Sequence, residues 1–155
     1  MTLPSETISV SGHLCVDYII TVDEYPPIGE SRRVSERRIY FGGGAANIAA
    51  GIARLGGQAE LICAVGCDFP GSEYEKYLKD LGVKTTLFRS EKNSSTAFMV
   101  NNAAGDQVTY FEWGAGEAFA RSVPPKREFV HMATGDAAFN INLARQAPPL
   151  IRART

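Results

Sequence analysis

The sequence predicts an α/β fold with a parallel-sheet core, and three observations carry that prediction. Strand-like and helix-like segments alternate as far as Phe88. The segment Leu61-Ile62-Cys63-Ala64-Val65 is apolar at every position, as suits a strand covered on both faces. Phe41-Gly42-Gly43-Gly44 then stands out, because it runs into a segment made almost wholly of Ala, Gly and Ile. A helix so poor in bulk lies close against its neighbour.

At 155 residues the chain reads as one domain, and 45% hydrophobic with 21% charged residues excludes the disordered and fibrous classes. A net charge of −1 gives no field that favours nucleic acid or an anionic membrane, so neither is expected as a partner. Cys15, Cys63 and Cys67 cannot all pair internally, and their spacing matches no zinc motif, so buried thiols without a metal are expected. The N-terminus shows no secretory pattern and no apolar run reaches membrane-spanning length. A cytoplasmic location is therefore the expectation.

In chain order, Thr7 to Val10 reads as a first strand ending at Ser11-Gly12, and Leu14 to Val22 as a second apolar one interrupted by Asp17. A carboxylate there is costly unless it is paired, in solvent at an edge, or facing a ligand cleft. Tyr25 to Gly29 is a turn. Glu30 to Phe41 carries four arginines but also Glu30 and Glu36, which fits a solvated strand face better than a nucleic-acid surface. The glycine-rich helix follows, with Ile48, Ile52 and Leu55 as its bulkier stripe and Gly56-Gly57 as its cap. Ser72-Glu73-Tyr74-Glu75 matches a capping box, opening a helix to Leu81 whose apolar face is Tyr74, Tyr77, Leu78 and Leu81. Val83 to Phe88 is the next strand.

After Ser90 the pattern changes. Thr96 to Asn101 and Val108 to Trp113 read as a hairpin with Thr109, Phe111 and Trp113 on one face. With the arginine-rich strand, this hairpin is expected to form a small sheet projecting from the α/β body. Phe129 to Ala133 is a buried-strand candidate, and Asn140 a candidate cap for a helix over residues 141–146. Residues 148–155 lack helix or strand logic and read as an atypical tail.

A dinucleotide site fails on two counts. Gly42-x-Gly44-x-x-Asn47 has Asn where the third glycine belongs, and no acid ends the next strand. No Gly-x-x-x-x-Gly-Lys-Ser/Thr loop occurs either. His13 and His131 have no nucleophile or carboxylate at a diagnostic spacing and read as hydrogen-bonded strand-end residues. A sugar pocket fits better. Asp17 supplies acceptors for hydroxyl protons, Gly43 and Gly44 let the backbone come close, and Asn47 offers a donor and an acceptor. Such a pocket would lie at the open end of the parallel sheet.

At these residues the chain resembles the ribokinase-like, or PfkB, family of sugar and nucleoside kinases. Gly12-x-x-x-x-Asp17, Phe41-Gly42-Gly43-Gly44-Ala45-Ala46-Asn47 and Val65-Gly66-x-Asp68-x-x-Gly71 carry the likeness, as do Leu55-Gly56 and Leu81-Gly82-Val83. It covers most of residues 7 to 147. Gln107-x-Thr109-x-Phe111-x-Trp113-Gly114 and Ala133-Thr134-Gly135-Asp136 look most like the archaeal-type nucleoside kinases. The resemblance implies a ribokinase-like α/β core with a β-sheet lid, made by segments of about 14–41 and 95–114 within a unit of residues 1–147. It implies ATP with Mg2+ as cofactors, and transfer of the γ-phosphoryl group to a hydroxyl of a sugar or nucleoside. Asp17, Gly43, Gly44 and Asn47 would hold ribose hydroxyls, Phe98, Phe111 or Trp113 would line the base side, and Gln107 would reach the nucleotide.

The family's second signature is a glycine-rich anion hole followed by the aspartate that takes the acceptor's proton. Nothing like Asp-Thr-x-Gly-x-Gly-Asp occurs here, and Gly135-Asp136 lacks the preceding glycines. Phosphoryl transfer depends on such positioning and charge stabilisation. The expectation is thus the acceptor half of a kinase, truncated before its C-terminal half, without catalytic residues and inactive alone. The alternatives are a non-catalytic sugar- or partner-binding half-domain and a non-functional fragment, and a homodimer through the lid or an exposed sheet edge is the expected form of self-association.

Overall fold

The structure, a computed structural model, describes residues 6–146, so the expectation for residues 148–155 lies outside it. In chain order the elements are β1 (Thr7–Ser11), β2 (Cys15–Val22), β3 (Val34–Gly42), α1 (Gly44–Arg54), β4 (Gln58–Val65), α2 (Glu73–Asp80), β5 (Lys84–Arg89), β6 (Ser95–Asn101), β7 (Gln107–Glu112), a 3-10 helix (Gly114–Arg121), β8 (Val130–Met132) and α3 (Ala137–Gln146). They build two four-stranded sheets. The first is parallel throughout, in the order β5-β4-β1-β8. The second, β3-β2-β6-β7, pairs β2 with β6 in parallel and has antiparallel outer pairs. It contains the arginine-rich strand and the hairpin expected to share a small sheet, with β2, read from the sequence as a separate apolar strand, inserted between them.

The core lies around β4 and β1. β4 is buried from Ala59 to Val65 and has a parallel neighbour on each side, as its unbroken apolar run requires. α1 packs on both strands. Its buried face is Ala45, Ala46, Ala49 and Ala50, while Ile48 and Ile52 are half-buried and Leu55 is exposed. The expected stripe of bulkier residues holds for Ile48 and Ile52, which pack against the core, and is corrected at Leu55. The helix makes its closest approach on its methyl-sized face, where larger side chains would hold it away. Gly56, with φ +82°, ends it as expected.

α2 begins at Ser72, whose hydroxyl accepts from the Glu75 N–H at 3.1 Å. The Glu75 carboxylate accepts from the N–H of Gly71 instead of Ser72, because the Ser72 N–H already donates to the Phe69 carbonyl. Tyr74 and Leu78 form the buried face of α2. Phe88, Phe119 and Phe139 meet edge to face under the other end of the core, with centroids 4.7–5.9 Å apart.

Two further expectations are corrected. β8 is an edge strand among the described residues, paired only with β1, and His131 and Met132 are exposed rather than buried. α3 begins at Ala137, where the Asp136 carboxylate accepts from the Phe139 N–H at 2.7 Å and acts as the cap. Asn140 is inside the helix. Its side chain accepts from the Ser11 hydroxyl at 2.9 Å and donates to the Ala133 carbonyl, tying α3 to the ends of β1 and β8.

Candidate functional site: a cavity beneath the second sheet

β1 and β8 end side by side, and the chain leaves β1 through Gly12-His13-Leu14 to enter the second sheet. Here His13, Gly43, Gly44 and Thr134 form the floor of a cavity of about 380 Å3, within the usual range of about 300–1,000 Å3 for small-molecule sites. One face of the second sheet forms its roof. Alternation along the strands places Cys15 and Asp17 of β2, Ala97 and Met99 of β6, and Thr109 and Phe111 of β7 on that face, with Trp113 just beyond. The cavity sits at the carboxyl ends of parallel strands, where open α/β sheets place ligands.

The glycine turn is shaped by what surrounds it. A Cβ at Gly42 would overlap the Asp17 carboxylate, and one at Gly43 would overlap the His13 carbonyl. Gly43 also has φ +93°, a conformation that favours glycine. At Gly44 the nearest atom, Thr134 Oγ1, would be 3.8 Å from a Cβ, so the space above it is open. Tyr74 holds the turn from behind: its hydroxyl donates to the Gly42 carbonyl at 2.6 Å and its ring stacks on Phe41 at 4.4 Å. Burial pushes the Tyr74 hydroxyl's pKa up, so it remains a donor.

Asp17 is half-buried on an interior strand, and no lysine or arginine lines the cavity. That removes the reading in which it is solvated on an edge. Burial, and then the neighbouring Asp17 carboxylate, push the Cys15 thiol's pKa up and keep it protonated. His13 is 6% exposed, and neither ring nitrogen has a hydrogen-bond partner. Its expected role as a hydrogen-bonded strand-end residue is corrected for the side chain. Only its backbone is tied, with the N–H donating to the Thr134 carbonyl at 2.9 Å.

The structure thus brings Asp17, Gly43, Gly44, Phe111 and Trp113 into one cavity. Asn47 stands exposed in the first turn of α1, outside the lining. Gln107 is exposed at the start of β7, where its amide donates to Asn101 Oδ1 at 2.9 Å. Phe98 lies on the opposite face of β6 and stacks on Tyr18 at 5.3 Å. His13, Cys15, Met99, Thr134 and Tyr74 were not singled out as site residues. Strand alternation extended from Asp17 to Cys15 would have found one of them; the others depend on strand pairing that local sequence does not encode.

The side chains of this cavity match a magnesium–triphosphate group poorly. A triphosphate needs cations or a cradle of free N–H groups, and a magnesium ion needs several oxygen ligands. The lining offers one carboxylate and no cationic side chain. No group of three or more potential metal ligands occurs among the described residues.

The fold is that of a ribokinase-like α/β protein, with a cavity of small-molecule size between its parallel sheet and a second sheet. A family model described as pfkB family carbohydrate kinase matches residues 5–148, so the chain belongs to that family. The nucleoside kinase of Methanocaldococcus jannaschii is 38% identical over 146 residues, covering 92% of this chain and 48% of that kinase. The crystal structure of the M. jannaschii nucleoside kinase, described as an archaeal member of the ribokinase family, superposes with a TM-score of 0.88 at 37% identity, over 93% of this chain and 50% of that one. A Burkholderia thailandensis nucleoside kinase in complex with inosine shares the fold, with a TM-score of 0.72 at 20% identity over 90% of this chain and 48% of that one. The chain spans about half the length of the relatives it matches.

Proposed function

We propose that the cavity is the acceptor site of a pfkB-family sugar or nucleoside kinase, and that this 155-residue polypeptide binds the acceptor without phosphorylating it. The observation that carries the reading is the Asp17 carboxylate. It is half-buried on an interior strand, next to a glycine turn and without a cation in the lining. A carboxylate so placed is stabilised by accepting hydrogen bonds, and vicinal hydroxyls supply them in pairs.

Gly43 and Gly44 would expose backbone to the same hydroxyls, and Asn47, outside the lining, would have to reach them from the first turn of α1. Phe111 and Trp113 offer apolar surface for a base. Gln107 stands farther along the Thr109–Phe111 face of β7 and would meet a longer ligand there, whereas Phe98 belongs to the outer face. The unit of residues 1–147 would bind in the cytoplasm, with the second sheet closing as a lid. ATP and Mg2+ would be held by groups beyond those that line this cavity, and no transfer step is assigned to its residues. The sequence contains no Asp-Thr-x-Gly-x-Gly-Asp.

Calorimetry with ribose and inosine tests the site. Wild type is expected to bind at least one, and Asp17→Asn to weaken that binding about tenfold or more, as for a lost hydrogen bond to a charged group. Equal binding by the variant removes the site. Incubation with ATP, Mg2+ and either acceptor should give no phosphorylated product; product above a protein-free control overturns the inactivity.

A further inference from the structure

Among the described residues, His13 alone has buried side-chain nitrogens with no hydrogen-bond partner, and it has two of them. A buried polar atom left unpaired costs about 1–3 kcal/mol. Packing cannot account for the choice of residue, because a phenyl ring would fill the same space without that cost. The imidazole is wedged against Trp113, with centroids 5.0 Å apart, and against Phe111 and Phe119 at 6.1 and 6.2 Å. It therefore lies against the aromatic residues at the end of β7, whereas Asp17 projects from β2, with β6 between the two strands. Burial depresses its pKa, opposed in part by the charge of Asp136, so at neutral pH it carries one donor and one acceptor.

We propose that His13 pairs with the edge of a heteroaromatic base and makes this a nucleoside site instead of a free-sugar site. The inference rests on the acceptor-site reading above. Base edges present ring nitrogens, N–H groups and carbonyls in one plane, and a neutral imidazole offers matching chemistry. Both nitrogens are enclosed, so the base meets them when Trp113 or Phe111 shifts. Each of those side chains is about half exposed and carried by the end of β7.

The experiment compares ribose and inosine binding by wild type, His13→Phe and His13→Gln, with thermal unfolding of each. His13→Phe is expected to unfold at the same or a higher temperature and to lose about tenfold or more in inosine affinity, with a clearly smaller change in ribose affinity. His13→Gln, which keeps a donor and an acceptor, should recover part of that loss. In wild type, the His13 imidazole NMR signals should move with inosine and not with ribose, a readout that stands even if a variant fails to fold. His131 is the other histidine, and a His131→Gln sample assigns the signals. Unchanged inosine affinity in His13→Phe, an equal loss for both ligands, or unmoved signals in a wild type that binds inosine overturns the inference alone. A wild type that binds ribose but not inosine does the same. Binding of neither ligand overturns the acceptor-site reading and this inference together.

Discussion

Adjacent glycines in the turn have opposite tolerances, and single methyl groups can read them. Gly43→Ala places a Cβ against the His13 carbonyl at a backbone angle that alanine resists. The expected loss of stability is about 2–4 kcal/mol by chemical denaturation. Gly44→Ala meets nothing closer than 3.8 Å at the first residue of α1, and should change stability by less than about 1 kcal/mol. Its effect should appear in ligand binding, because the methyl group occupies the space where a sugar would approach the backbone. If both variants unfold alike, the steric account of the turn is wrong. Residue identity was legible here, since three glycines before a thin helix already implied close approach. Which glycine was indispensable was not, because that depends on Asp17 of β2 and His13 of the turn before it arriving beside the glycines.

At the scale of elements, Glu60 shows how a strand's one buried charge is kept. It lies near the start of β4 and accepts from Arg127 at 2.6 Å, from Ser9 of β1 at 2.5 Å and from Thr86 of β5 at 2.7 Å. One carboxylate thus ties three parallel strands to the loop before β8. Burial works to raise its pKa, but the hydrogen bonds and the guanidinium outweigh it and hold the value at about 2, below the ordinary 4.5. A depressed carboxylate pKa contributes stability that is complete above the unfolded value and lost as pH falls through the folded one. Wild type should therefore lose stability, on the order of 2–3 kcal/mol, between about pH 5 and about pH 2. Glu60→Gln should be less stable at neutral pH and show a flatter profile over that interval. Parallel profiles for the two proteins in urea titrations would sink the assignment. The boundaries of β1, β4 and α2 were readable from alternation, apolar run and cap. The true start of α3 was not, because Asp136 and Asn140 are both good caps and only the ends of β1 and β8 decide which of them is drawn inward.

At the scale of the molecule, the family was legible from spaced motifs, whereas the pairing of β2 with β6 was not. Those strands lie far apart in sequence, and nothing local specifies them as parallel neighbours. That pairing also creates an outer face on the second sheet. Tyr18 and Ile20 of β2, Ile39 of β3, Phe98 and Val100 of β6, and Val108 and Tyr110 of β7 share it by strand alternation. Ile39, Phe98, Val108 and Tyr110 are exposed, which groups large apolar side chains into one patch. Exposed apolar patches of this kind mark contacts with other molecules. A homodimer formed through this sheet, expected from the sequence, is the occupant to test, because an isologous contact would bury the same patch on both copies. Sedimentation should show a concentration-dependent dimer, and Tyr110→Lys combined with Phe98→Ser should shift it to monomer. Both substitutions lie on the face opposite Asp17, so ligand binding should persist in the monomeric variant. A wild type that sediments as a monomer up to high concentration would show that the outer face is not the contact.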